Sequence, residues 1–273
     1  MRGEFVEVDR SRLYYYAAGS RGKGDPLILL HGFPASSHLW RDVVPELPAG
    51  HRVVVMDLLG YGRSDRPGEH EVSIAAHAAR VLGFADALKI TRFAVAGHDL
   101  GGGIAQYLAV HHPERVSRMA LVSSVGLDAW PPREFKMARA AIPFARKMPA
   151  KPLMNQLRRA LKRAYEEEEH GAHSVDMYLR PFESPGGKDA LISHVAALDP
   201  AETMALAPRL TEIAVPTAII WGADDPFIEP ALGEELQKAI PKATLSILPD
   251  VMHYPPETAP ESVAEILASW LAR

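Results

Sequence analysis

The stretch "VAGHDLGGGIAQ", residues 95–106, decides how this chain is read. Its apolar start reads as a strand, and Gly97-x-Asp99-x-Gly101 outlines a tight turn that opens into a helix. Small residues on either side permit a strained backbone at the middle position. The helix that follows aims its free N–H groups and positive dipole end at that residue. Its commonest occupant is serine, a hydroxyl that must lose a proton before it can attack. Here it is Asp99. A carboxylate with an ordinary pKa of about 3.9 is already ionised at neutral pH. It suits displacement at an sp³ carbon, giving an ester between substrate and protein.

Away from this turn the chain alternates short apolar runs with helical periodicity. "LILLH" (27–31), "RVVVMD" (52–57), "FAVAG" (93–97), "RMALVSS" (118–124), "PTAIIWG" (216–222) and "ATLSIL" (243–248) lack polar alternation. Such runs fit strands buried on both faces. "FVEV" (5–8) and "LYYYAA" (13–18) suggest an antiparallel hairpin at the start. Residues 37–46, 73–88, 101–111 and 259–271 read as helices. This succession predicts a mostly parallel sheet with helices on both faces.

The rhythm breaks over residues 127–206, which are helical in character and punctuated by Pro131-Pro132, Pro149, Pro181 and Pro185-Gly186-Gly187. The expected organisation is a core domain of residues 1–126 and 207–273 with an inserted helical cap, 127–206. The cap would lie over the carboxyl edge of the sheet, where open α/β sheets place their sites. Within it, "RRALKRAYEEEEH" (158–170) predicts a solvated helix face. Lys162–Glu166 and Arg163–Glu167 would be its i,i+4 pairs.

Bulk properties exclude several function classes. The 273 residues are 47% hydrophobic and 23% charged, ordinary for a globular chain. A net charge of −4 gives no basic footprint for nucleic acid. No apolar run approaches the ~20 residues of a membrane span, and "MRGEFVEVDRSR" lacks the apolar stretch of a signal peptide, so a cytoplasmic location is expected. The absence of cysteine excludes disulfides and thiolate chemistry. His111-His112 and His170/His173 have loose metal-like spacing but no accompanying carboxylates, so no metal and no cofactor are expected.

Three further segments carry chemistry. "HGFP" (31–34) follows a strand and offers the backbone N–H of Phe33 to an oxyanion hole. The N–H of Leu100, the residue after Asp99, would be the second donor. "WGADDPF" (221–227) puts Asp224 and Asp225 at a strand's carboxyl end, and "LPDVMHYPP" (248–256) puts His253 in the loop after the last strand. The order is nucleophile, acid, histidine. His31 and His98 read as structural parts of their turns.

Together these segments identify the chain as resembling the α/β-hydrolase fold: a mostly parallel eight-stranded sheet with an inserted cap. "HGFPASSHLWRDVVPEL", "DLLGYGRSDRP" and "GHDLGG" are similar to its epoxide hydrolase and haloalkane dehalogenase branch, which uses Asp as nucleophile. The resemblance implies Asp225 as the acid, 28 positions before His253. It implies Asp99, Asp225 and His253 as the catalytic residues. Epoxide hydrolases of this kind protonate the leaving oxygen from cap tyrosines, here Tyr178 or Tyr165, with His194 a less usual donor. Dehalogenases commonly place Trp after the nucleophile and Asn after "HG"; this chain has Leu100 and Phe33 there, and Trp130 is the remaining candidate. Epoxide hydrolysis of a small apolar substrate is therefore the leading expectation. Carbon–halogen hydrolysis, an altered serine-esterase or C–C hydrolase scaffold, and a non-enzymatic small-molecule receptor are the alternatives.

Overall fold

A computed structural model describes residues 3–20, 24–128, 133–166 and 168–272. It contains one eight-stranded sheet. The strands are β1 (Gly3–Val8), β2 (Ser11–Ala18), β3 (Leu27–Leu30), β4 (Val53–Met56), β5 (Phe93–His98), β6 (Val116–Val122), β7 (Thr217–Gly222) and β8 (Ala243–Leu248). Their order is β1-β2-β4-β3-β5-β6-β7-β8. β2 pairs antiparallel with β1 and β4, and every other neighbouring pair is parallel.

Hydrophobic patterning accounts for this arrangement. β3, β4 and β5, at the centre, are buried at every position, which is why their sequences show no alternation. β1 lies at the edge and is largely solvated. Asp9 and Arg10 both take positive φ (49° and 61°) and turn β1 directly into β2, with Val8 opposite Ser11.

Two helices flank the central strands. α1 (Ile74–Ala87) begins where the Ser73 hydroxyl accepts from the Ala76 N–H at 3.1 Å. Its buried face includes Ile74, Ala78, Val81 and Ala85, the recurrence visible in sequence. α2 (Leu100–His111) follows β5 after a single residue, Asp99. The helix expected over 37–46 is instead two 3₁₀ turns, Ser37–Trp40 and Val44–Glu46. Pro45 lacks the N–H that would have tied these turns together.

Between β6 and β7 lie the inserted helices α3 (Arg133–Ala140), α4 (Ile142–Ala145), α5 (Ala150–Lys162), α6 (Glu168–Glu183), α7 (Gly187–Ala197) and α8 (Pro200–Leu206). The charged run 158–170 is not one helix face, because α5 stops at Lys162 and α6 starts at Glu168. Arg158 reaches across to Asp176 and Glu183 of α6, at 2.8 and 2.6 Å. The segment is also tied to the core. Glu202 of α8 accepts from the Ile74 and Ala75 N–H groups at 2.9 and 3.0 Å, satisfying the first turn of α1. α9 (Pro230–Ala239), α10 (Pro255–Thr258) and α11 (Pro260–Ala272) complete the chain. Among the described residues, no helix is long and apolar enough to cross a membrane.

Candidate active site

Asp99 sits where β5 gives way to α2, with φ 50° and ψ −116°, a left-handed conformation that costs a non-glycine residue of the order of 1–3 kcal/mol. The neighbours show why the turn needs glycine. A Cβ on Gly97 would collide with the Gly101 carbonyl, and one on Gly32 would collide with the Asp99 side chain. The strained backbone is secured by its own carbonyl, which accepts from the N–H groups of Gly102, Gly103 and Val125 at 3.0–3.3 Å.

The carboxylate is 5% exposed. Its Oδ1 accepts from the Phe33 N–H at 2.8 Å, and the Leu100 N–H adds its own pull on the ionised carboxylate. The two backbone donors singled out in sequence therefore converge on one group. Burial pushes the Asp99 pKa up to about 6, against the opposing pull of His253 and the two N–H groups.

His253 stands in the loop after β8 and is buried. Its Nδ1 lies 2.8 Å from Asp225 Oδ2. Asp225 Oδ1 accepts from the Phe227 and Ile228 N–H groups at 2.9 and 3.0 Å, so this carboxylate is fixed on both sides. Asp224 is exposed. Burial opposes charging of the imidazole, but Asp225 and then Asp99 overcome it and hold the His253 pKa above its ordinary value.

The other two histidines of these turns are structural. His98 Nε2 donates to the His253 carbonyl at 2.8 Å and steadies the loop. His31 Nε2 accepts from the Leu58 N–H at 3.0 Å, while its Nδ1 donates to the Gly32 carbonyl at 2.9 Å. That tautomer staples the loop carrying Phe33 to the end of β4.

The donor candidates fall into separate places. Tyr178 and Tyr165 are both buried and both donate to one carboxylate, Glu257 of α10, Tyr165 at 3.1 Å to Oε2. Arg41 Nη1 stands 3.3 Å from Glu257 Oε1 and closes the cluster. The Tyr165 ring stacks on Tyr254, the neighbour of His253, at 4.9 Å. His194 belongs elsewhere: its ring lies 4.0 Å from that of Tyr61 and 6.3 Å from that of His77. Burial pushes the His194 pKa down to about 3, so its imidazole is neutral. No hydrogen bond of ordinary geometry reaches the ring nitrogens of His194 or His77, or the Tyr61 hydroxyl. Trp130 lies outside the described residues. Among the described residues, no group of three or more His, Cys, Asp or Glu side chains is placed to hold a metal ion.

Sequence reasoning missed Glu257 and Arg41. Glu257 follows His253 by four positions within "HYPPE", and Arg41 sits in "HLWRD". Nothing local distinguishes them from surface charges, because their pairing is made by the fold across some 216 residues.

A buried carboxylate held by a backbone N–H, with a carboxylate-paired histidine in the same electrostatic field, has the parts that hydrolysis through a covalent ester would need. Comparison with known proteins agrees at the level of family. Residues 25–260 match the family model described as alpha/beta hydrolase fold. The chain is 28% identical to epoxide hydrolase 4 of Mus musculus over 280 residues, covering 95% of this chain and 76% of that one. It is 30% identical to haloalkane dehalogenase 2 of Mycobacterium tuberculosis over 278 residues, covering 95% and 91%. A solved alpha/beta hydrolase fold protein from Burkholderia ambifaria superposes with a TM-score of 0.87 at 26% identity, covering 97% of each chain. Fold, site geometry and family match thus converge: the chain belongs to the alpha/beta hydrolase fold family and is a hydrolase.

Proposed function

We propose that the protein hydrolyses a small apolar epoxide to a diol through an alkyl ester on Asp99. The observation that carries this reading is the Asp99 carboxylate itself, held at 2.8 Å by the Phe33 N–H in a buried turn. At neutral pH it is mostly ionised, since its pKa is about 6. With Oδ1 held by Phe33, Oδ2 attacks the epoxide carbon, and the ring C–O bond breaks towards its oxygen. The alkoxide takes a proton from a donor on the side of the inserted helices, which serve as a cap. Tyr178 or Tyr165 can give this proton only by turning from Glu257, and neutral His194 carries a single N–H. Asp225 orients His253, which takes a proton from water. That water attacks the ester carbon while the Phe33 and Leu100 N–H groups hold the oxyanion. Its collapse breaks the acyl C–O bond, the departing diol oxygen takes the proton held by His253, and the remaining carboxyl proton of Asp99 returns to the donor used in the first step.

The apolar character of the substrate has its own support. A cavity of about 320 Å³ among the inserted helices is lined by Ala138, Leu153, Leu157, Leu191, Val195 and Phe227. The Phe227 ring packs edge-on against His253 at 5.2 Å. Carbon–halogen hydrolysis would use the same Asp99 and His253. A departing halide needs side-chain N–H donors, and neither Leu100 nor Phe33 supplies one.

Intact-mass and peptide mass spectrometry on His253→Gln incubated with styrene oxide test the proposal. The expected result is a stable adduct of substrate mass on Asp99 that wild type turns over to the diol. If styrene oxide leaves Asp99 unmodified while 1-bromobutane alkylates it, the chemistry is dehalogenation. Modification by neither removes the covalent mechanism.

A further inference from the structure

A second cavity, of about 570 Å³, lies at the seam between the inserted helix α6 and the core, and its lining includes none of Asp99, Phe33, Leu100, Asp225 or His253. Three arginines line it: Arg41 and Arg63 from the core, and Arg180 from α6. Asp57 is the single carboxylate there, and both its oxygens are taken by backbone groups, the Ser37 N–H at 2.6 Å and the Arg63 N–H at 2.7 Å. Arg41 is neutralised by Asp42 at 3.1 Å and Glu257 at 3.3 Å. Arg63 is not: its guanidinium contacts the Tyr14 hydroxyl at 3.1 Å and lies over the Tyr14 ring at 4.9 Å, with no acid in reach. Arg180 makes neither an ion pair nor a hydrogen bond to any described residue.

Two guanidinium groups without an ion pair therefore share one cavity with a single carboxylate, Asp57, leaving an excess of positive charge there in a chain whose net charge is −4. His38, on the same lining, has a buried Nε2 with no partner. Burial first, and then the charges of Arg41, His173 and Arg63, hold its pKa down to about 4. The imidazole thus registers the same positive field and is neutral at working pH.

We infer that this seam cavity binds a small phosphate-bearing molecule, its phosphoryl group held between Arg63 of the core and Arg180 of α6. A guanidinium presents paired N–H groups in a planar fork that matches two phosphate oxygens. The volume lies within the range of small-molecule sites and exceeds what a bare ion needs, leaving room for an organic body. Tyr14, Tyr16 and Met177 supply apolar surface for that body. One arginine comes from each side of the seam, so an occupant ties α6 to the core and opposes their separation.

The test is calorimetric titration of phenyl phosphate into the full chain at pH 8, with ionic strength held constant by sodium chloride, and succinate titrated in parallel. Saturable binding is expected, with the Arg63→Ala/Arg180→Ala double variant at least about 10-fold weaker, as loss of charge-assisted hydrogen bonds requires. A second measurement needs no variant. Proton NMR titration of wild-type His38 with and without sodium sulfate, at matched ionic strength, should show its pKa rising when the dianion is present. No saturation by phenyl phosphate at millimolar concentrations, equal binding by the double variant, or a His38 titration indifferent to sulfate would each overturn the proposal. Succinate binding as tightly as phenyl phosphate would overturn the assignment of phosphate.

Discussion

Two buried carboxylates, Glu257 and Asp99, face opposite circumstances. Glu257 is 3% exposed and meets two phenol hydroxyls and a guanidinium. Asp99 is 5% exposed and has two backbone N–H groups and no arginine or lysine. Charge-assisted hydrogen bonds compensate desolvation at Glu257. At Asp99 burial prevails and raises the pKa to about 6. The comparison teaches that two similarly buried carboxylates can be held very differently, one with enough charge-assisted donors to be an anchor and one with backbone donors that do not offset its desolvation. The anchored carboxylate joins α5 and α6 territory to α10; the under-solvated one sits in a strained turn at the head of α2.

The largest effect expected is at the anchor. Glu257→Ala orphans the Tyr165 and Tyr178 hydroxyls and leaves Arg41 with the Asp42 ion pair and the His38 carbonyl. Breaking a buried ion pair from one side costs about 3–5 kcal/mol. Urea unfolding should show this as a lower midpoint at unchanged slope. A loss below about 1 kcal/mol would mean that Glu257 anchors nothing, and the contrast with Asp99 would collapse.

Asp99→Asn should act with the opposite sign. The folded-state pKa of about 6 exceeds the unfolded value near 3.8, so the folded chain binds the proton more tightly. Between these values the native state carries more protons, and stability falls as pH rises through about 6. Ionised Asp99 then costs roughly 3 kcal/mol at pH 8, and Asn should recover up to that much there and nothing near pH 4. A variant with no pH-dependent gain would show that Asp99 is not starved of donors. On the proposed mechanism the same pKa would govern activity: single-turnover alkylation of Asp99 should rise through about pH 6 and be lost in Asp99→Asn.

These contrasts mark how far the sequence could be read. β3, β4 and β5 were legible because unbroken apolar runs permit little else, and Gly97-x-Asp99-x-Gly101 was legible because a sharp turn needs its glycines locally. Phe33, Leu100, Asp225 and His253 follow strand ends, so their positions came with the strands. The role of Glu257 was not legible, since its partners arrive from the segment after the first 3₁₀ turn (Arg41), the α5–α6 connection (Tyr165) and α6 (Tyr178), all far from α10 in the chain. Residues 37–46 misled because apolar spacing mimics a helix and Pro45 carried the correction. The charged run 158–170 misled for a similar reason: its spacing reads as one continuous helix, but α5 ends at Lys162 and α6 begins at Glu168, while Glu167 of the expected Arg163–Glu167 pair lies outside the described residues.

Within the anchor, the two phenols should be unequal to the carboxylate they share. Tyr178→Phe and Tyr165→Phe each remove one hydrogen bond to a charged acceptor and leave the Arg41 contact intact, at a cost of about 1.5–3 kcal/mol. Because both bond one acceptor, the double variant should depart from additivity, and a double-mutant cycle by urea unfolding measures that coupling. Strict additivity would show that the hydroxyls act independently of Glu257. These variants also bear on the chemistry. If either phenol protonates the leaving oxygen, its Phe variant slows alkylation by styrene oxide about 100-fold or more.

The smallest effect is expected where buried polar atoms lack partners altogether. His77 is fully buried, its two ring nitrogens make no hydrogen bonds, and it lies among Tyr61 and His194. His77→Leu has similar volume and orphans no partner, so at pH 8 it should fall within about 1 kcal/mol of wild type. Burial holds the His77 pKa well below its ordinary value. The unfolded chain therefore binds a proton at about pH 6.5 that the folded chain refuses, and this part of the stability is present above that pH and lost as pH falls. At pH 5 the leucine variant should therefore gain stability relative to wild type compared with pH 8, since it has no proton to be denied in the folded state. A loss of several kcal/mol at pH 8 would place a bound water on the imidazole, and the cluster would then be satisfied in the same sense as Glu257. A pH-independent difference would instead mean that His77 ionises as readily folded as unfolded, and burial there would carry no electrostatic cost.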